Sequence, residues 1–220
     1  MTVLAVIGGT GKEGRGLAYR WAKAGHTVYI GSRTPAKAAR MAETIRARLG
    51  NPQAPVWGVG NREAAQRAEV VVLAVPYSAH RATLEAIREV VQGKVVVDVA
   101  VPMKPPKVTK AWFPPAGSAA LEAQEILGPD VAVVDAFQNI AHAVLWEDAP
   151  IEAEVLVAGK GKANRRRVMA LVEDAGLRAW DAGPLENTPV VEGLTSVLIY
   201  MNKALGTRHV GIRIVGGEEE

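Results

Sequence analysis

Five apolar residues, Val3 to Ile7, run straight into Gly8-Gly9-Thr10-Gly11, and a stretch of helical pattern, Gly14 to Ala24, follows at once. Few local patterns constrain a fold so tightly. A short, continuous apolar run reads as a strand buried on both faces. Such a strand needs helices above and below it, which the rest of the chain must supply. Gly9, Gly11 and Gly14 fit the spacing G-x-G-x-x-G, a pattern that gains meaning from a strand before it and a helix after it.

The remaining chain repeats the theme. Strands are predicted at Thr27 to Ile30, Val56 to Val59, Val70 to Val75 and Val95 to Val99, with helices at Pro35 to Leu49, around Glu63 to Arg67 and at Ala79 to Val91. Thr34 is placed to cap the second helix, with Pro35 at its first position. This alternation predicts an α/β fold of Rossmann type, a doubly wound, mostly parallel sheet with right-handed crossovers. The stretch from Pro102 to Pro115 holds five prolines and no apolar period, so it reads as a surface loop, of a length that is often functional. Beyond it come a helix at Ser118 to Leu127, added strands at Val131 to Ala136 and Glu154 to Ala158, a helix at Asn164 to Ala175 and a last strand at Leu177 to Asp181. A final helix runs from about Asn187, its expected cap, to Leu205, closed by Gly206. Val190, Leu194, Val197, Leu198, Met201 and Leu205 form one apolar stripe on it, either packed on this subunit's own sheet or forming a dimer seam, the reading preferred here. Residues 1–150 are read as the dinucleotide-binding domain, and residues 151–220 as a small C-terminal, partly helical extension that completes the sheet.

The glycine turn carries chemistry. The reading assigns Gly9 an unusual backbone conformation, Gly11 a close approach to a diphosphate, and Gly14 close packing of helix on strand. Free N–H groups at the helix start, around Thr10, Lys12 and Glu13, then meet phosphate oxygens. The second strand decides which dinucleotide binds. A site for NAD carries a carboxylate there for the ribose hydroxyls. This chain has Gly31-Ser32-Arg33 instead, with Lys37 one turn further on. A hydroxyl, a guanidinium and an ammonium without an acid favour a 2′-phosphate, and so NADP. Val75 and Pro76 after the fourth strand, with Tyr77, and Val99 to Pro102 after the fifth, including Val101, fall at the C-terminal ends of strands, where such folds bind their ligands.

Other classes are excluded or weakened. The chain has no cysteine, so it has no disulfide, thiolate metal site or cysteine nucleophile. No metal-spaced histidine pair, Ser/His/Asp pattern or obvious carboxylate dyad stands out. His26, His80 and His209 read as surface or structural residues. The net charge of +3 is scattered, apart from Arg165-Arg166-Arg167 on a helix face, so nucleic acid is not an expected partner. No apolar run is long enough to span a bilayer, and the N-terminus reads as a first strand rather than a signal peptide. A cytoplasmic location fits. The acidic run Glu218-Glu219-Glu220 reads as a frayed tail.

Taken in order, Gly8-Gly-Thr-Gly, Gly31-Ser-Arg, Val75-Pro-Tyr, Val101-Pro102, Asp181-Ala-Gly-Pro-Leu185 and Val191-Glu-Gly-Leu-Thr195 make the chain resemble the NADPH-dependent reductases of the deazaflavin coenzyme F420. The resemblance covers nearly the whole chain. It implies direct hydride transfer between nicotinamide C4 and deazaflavin C5, with the two rings stacked between the sheet and the C-terminal helices, in a homodimer. Such a reaction needs no catalytic side chain beyond those that align the rings. It further implies that Gln138, Asn139 and Ile140 lie on the deazaflavin side and Ala141 beside the nicotinamide. The family has a histidine where this chain has Gln138, which can hydrogen-bond but not carry charge. A second, partial likeness is to the cytoplasmic domain of membrane ferric reductases. Competing readings on the same fold are an NADPH reductase of a flavin, an imine or another small acceptor, and a non-catalytic NADP-binding redox sensor.

Overall fold

The structure is a computed structural model that describes residues 1–216. The acidic run 218–220 lies outside the described residues. Eight strands build one sheet: β1 (Val3–Ile7), β2 (Thr27–Ser32), β3 (Val56–Gly60), β4 (Val70–Leu73), β5 (Val95–Asp98), β6 (Ala132–Asp135), β7 (Val155–Gly159) and β8 (Ala179–Gly183). The strand order is β3-β2-β1-β4-β5-β6-β7-β8. Strands β1 to β6 are parallel, β7 runs antiparallel to β6, and β8 is parallel to β7. The doubly wound, mostly parallel sheet expected from the sequence is the observed one.

The continuous apolar runs are explained by two cores. Leu4 and Val6 of β1, with Val70 and Val72 of β4, enter one core with Leu17, Trp21 and Ile45. Ala5 and Ile7, with Val71 and Leu73, enter the other with Ala64, Leu84 and Ile87. Alternate side chains point to opposite faces, so a strand covered on both sides must be apolar at every position. Helices α1 (Lys12–Lys23), α2 (Pro35–Arg48) and α7 (Lys162–Asp174) serve the first core. Helices α3 (Asn61–Arg67), α4 (Tyr77–Ile87) and α5 (Ala119–Leu127) serve the second.

Several local expectations are corrected. Thr34 makes no side-chain cap; its N–H is instead accepted by Ser32 Oγ at 3.1 Å. Asn187 does not cap α8 (Thr188–Leu205) either, because its Nδ2 donates to Ala182 O at 2.7 Å. The true side-chain cap is Ser118, whose Oγ accepts from Leu121 N at 3.0 Å. Helix α6 (His142–Trp146) was not foreseen. One turn has no readable period, and tertiary bonds hold this one: the Arg20 guanidinium donates to the carbonyls of Val144, Leu145 and Glu147. The stripe on α8 is mostly open rather than packed on the sheet. Leu198 is buried, Leu194 is half-buried, and Val190, Val197, Met201 and Leu205 are exposed.

Candidate functional site

The turn after β1 sits against the end of β2. Gly8 N and Gly9 N both donate to Gly31 O, at 3.1 and 3.3 Å. The unusual backbone conformation belongs to Gly8, with φ +80°, rather than to Gly9 as the pattern suggested. Gly9 is required for space instead: a Cβ there would lie 2.8 Å from Val6 O and 2.9 Å from Ile30 Cγ2. Gly14 behaves as expected, since a Cβ would fall 2.7 Å from Gly8 O and force α1 off the turn. This tight cradle with an exposed Gly11 at the head of α1 fits a diphosphate.

Beside the turn opens a cleft of about 640 Å³ at the C-terminal ends of the parallel strands. It gathers, from distant parts of the sequence, Gly11, Lys12, Glu13, Val75, Pro76 and Val101, and faces them with Gln138, Asn139, Ile140 and Ala141. Gly9 and Thr10 form the turn behind it. Ser32, Arg33 and Lys37 are not in the cleft wall. They stand at the end of β2 and the start of α2, with Ser32 buried and both cations exposed. An extended dinucleotide lying along the strand ends would reach from one group to the other.

Tyr77 and Val99, expected at the strand ends, also line the wall, and the sequence reading did not single out the residues that complete it. Met103, Pro105 and Val108 come from the proline-rich loop, and Thr195, Leu198 and Ile199 from α8. Tyr77 stacks on His80, meets the edge of Trp112, and donates its hydroxyl to Glu122 Oε2 at 2.7 Å. Burial, then that hydrogen bond, push the Tyr77 hydroxyl pKa up, so it stays protonated.

Beneath the floor lies a buried polar cluster. Asp98 and Asp135 end neighbouring strands in register, and both are fully buried. His80 Nε2 lies 2.7 Å from Asp98 Oδ2. Gln138 Nε2 donates to Asp98 O at 2.7 Å and to Asp135 Oδ1. Glu192 of α8 accepts from Ala119 N and Ala120 N at 2.8 and 3.0 Å, capping α5. Thr195 Oγ1 donates to Gln138 O at 2.7 Å. The cluster thus ties α8 and the cleft floor together. Burial, then the nearby Glu192 and Asp98 charges, push the Asp135 carboxyl well up. Burial likewise pushes Glu192 up to about 8, against the lowering by its two backbone bonds. Burial alone would lower His80, but Asp98 outweighs it and the imidazole rises. The amide nitrogens of Gln138 and Asn139 are thus committed to the scaffold, Asn139 Nδ2 donating to Glu154 O at 2.6 Å, while Gln138 Oε1 and Asn139 Oδ1 are sealed without a partner. A carboxylate dyad was not visible in the sequence because its members come from separate strands. The one available signal is that Val95-Val-Val-Asp98 and Val133-Val-Asp135 each end an apolar run on an acid.

Phe137, between β6 and Gln138, is the one non-glycine residue with positive φ among the described residues, at 75°. Its buried ring packs edge-on against Trp21 at 5.8 Å. This anchored bend turns the chain across the cleft, where strained backbone is commonly found.

Comparison with known proteins agrees with the geometry. Residues 3–102 match the family model described as NADP oxidoreductase, coenzyme F420-dependent. The chain is 38% identical to the F420-dependent NADP reductase of Methanocaldococcus jannaschii, over 98% of this chain and 99% of that protein. It is also 38% identical to the enzyme of the same name from Methanothermobacter thermautotrophicus, over 99% of this chain and 96% of that one. A crystal structure from Arthrobacter sp. FB24, assigned as an F420-dependent NADP reductase, superposes with a TM-score of 0.80 at 27% identity, covering 98% of this chain and 100% of that one. Near-complete coverage in sequence and in structure leads to one conclusion: the chain belongs to the F420-dependent NADP reductase family.

Proposed function

We propose that this protein transfers a hydride between NADP(H) and the deazaflavin coenzyme F420. The observation that carries the reading is the single cleft that joins the glycine turn to the Gln138–Ala141 segment; Ser32, Arg33 and Lys37, at the end of β2 and the start of α2, support a 2′-phosphate site. Written from NADPH, the hydride leaves C4 of the reduced nicotinamide and bonds to C5 of the deazaflavin, and a proton taken up from solvent at N1 completes the reduced ring. The protein's part is alignment and exclusion of water. The turn at Gly9–Glu13 holds the diphosphate. Val75, Pro76, Val101 and Ala141 bound the nicotinamide end. Gln138, Asn139 and Ile140 present the other wall, with the first two side chains locked beneath it. Residues 1–150 hold the dinucleotide, and residues 151–220 complete the second ring's side.

Two further points belong to this reading. The exposed residues of α8 support a homodimer. No helix of the described residues is long and apolar enough to cross a membrane, which fits work in the cytoplasm. The decisive experiment mixes purified protein with NADPH and oxidised F420 and follows both absorbances. Equimolar loss of both supports the reading. No turnover with F420, alongside turnover with a free flavin or an imine, overturns it, and dinucleotide binding without any turnover points to a sensor.

A further inference from the structure

The second residue of α1 is an acid placed where the ligand's own negative charge must come. Glu13 follows Gly11 and Lys12 at the head of the helix and lines the cleft. Its Oε1 is sealed from solvent and has no hydrogen-bond partner. No hydrogen bond or ion pair reaches either oxygen among the described residues. Of the charged or titratable groups on the elements that meet here, α1 carries Lys12 and Arg15 beside Glu13 and Tyr19, Arg20 and Lys23 further along it, α6 carries His142, and Tyr77 and Arg208 line the same cleft. Lys12 is exposed, and the Arg15 guanidinium lies over the Trp146 ring, 4.9 Å from its centre. Burial, then Lys12 and Arg15, lower His142, so it is neutral above pH 7 and gives Glu13 no cation. Glu13 as a whole is half-buried, but a carboxylate with one oxygen sealed and unpartnered is costly, and beside a diphosphate it would also be repelled. A neutral carboxyl costs much less and carries a donor.

We propose that Glu13 is a proton-linked ligand of the dinucleotide: its carboxyl is protonated in the complex and donates a hydrogen bond to a diphosphate oxygen. This rests on the NADP reading and adds a proton to the binding step. The donor to the ligand is Oε2, the oxygen that is not sealed, and the only bond formed is the O–H of that carboxyl. Burial raises Glu13 to about 8 in the free protein. The diphosphate charge raises it further, so binding takes up a proton only where free Glu13 has already lost one. The linkage is therefore silent near pH 7 and strong at pH 9, where the dissociation constant rises about tenfold per pH unit.

The test is calorimetric binding of NADPH to the intact protein at pH 7 and pH 9, each in two buffers of different ionisation enthalpy. The 2′-phosphate is fully ionised at pH 9, so its own titration does not contribute. The expected uptake is near zero at pH 7 and approaches one proton at pH 9. Glu13→Gln keeps a donor and cannot titrate, so it abolishes the uptake and flattens affinity between the two pH values. NADPH binding without proton uptake at pH 9, or uptake that persists in Glu13→Gln, overturns the inference and leaves the NADP reading standing. Absence of NADPH binding at both pH values defeats the NADP reading and this inference with it.

Discussion

Individual residues in this site are held by geometry more than by chemistry. Gly8 has the clearest case. Its φ of +80° is strained for any side chain, and a Cβ would lie 2.4 Å from Ala74 O. Gly8→Ala is expected to destabilise the fold by roughly 2–4 kcal/mol, read by denaturant titration, and to weaken NADPH binding with it. Arg33 makes the opposite case, since it is exposed and free to meet a ligand. Arg33→Ala should raise the KM for NADPH by about 10–100-fold and leave that for NADH nearly unchanged, as expected for loss of one charge-assisted phosphate contact. An equal rise for both dinucleotides in steady-state assays would refute the 2′-phosphate assignment. The sequence marked both residues but gave the strained conformation to Gly9, because the spacing of glycines shows where freedom is needed without showing which residue uses it.

At the level of elements, legibility followed burial. Strands β1, β4 and β5 could be read directly because both of their faces are covered and every position is apolar. The ends of β4 and β5 were read two residues and one residue long, at Val75 and Val99, because apolar residues continue past the last ladder bond into the cleft wall. Helix α6 could not be read, since its stability comes from Arg20 on α1 and not from its own five residues. The buried cluster was unreadable for a related reason: Asp98 gains its meaning only from His80, Asp135 and Gln138, which register and packing bring to it. Helix α8 was found, but its stripe carries a choice that one chain does not make. Val197, Tyr200 and Met201 present exposed apolar surface on it. If a second copy covers this face, Val197→Asp should convert a dimer to a monomer in sedimentation velocity, with little change in the melting temperature of the isolated subunit. A wild-type protein that sediments as a monomer at high concentration would remove the dimer from the reading.

The whole molecule carries several acids that resist ionising. Glu13 and Glu192 are pushed up to about 8, and Asp135 well up, in each case mainly by burial. An unfolded chain releases the two glutamate protons near the ordinary value of 4.5, while the native state keeps them until about pH 8; Asp135 is shifted in the same direction. The native state therefore binds more protons in that window, and stability falls as pH rises through it. His80, raised by Asp98, adds a contribution of the same sign. Asp148, lowered to about 2 by its hydrogen bonds to Lys23 and Tyr19, acts in the opposite sense below pH 4, but it is half exposed and contributes little. Urea unfolding should give a stability at pH 5.5 that exceeds the value at pH 8.5 by roughly a few kcal/mol. Glu192→Gln should flatten that slope. A stability that climbs between these two pH values would contradict the buried-acid account.

The seam between β6 and β7 is only two register pairs long, Val134 with Gly159 and Asp135 with Ala158. Beyond it, β7 and β8 run past the ends of the parallel strands and launch α8 at the level of the cleft floor. This makes the joint a natural boundary for inheritance. On the proposed division, the half assigned to the dinucleotide would stay as it is while the piece beyond the seam is exchanged, lengthened or reshaped, and acceptor choice would then drift between lineages without loss of the reductant. Chimeras cut at this seam would be the direct way to move acceptor preference from one relative to another.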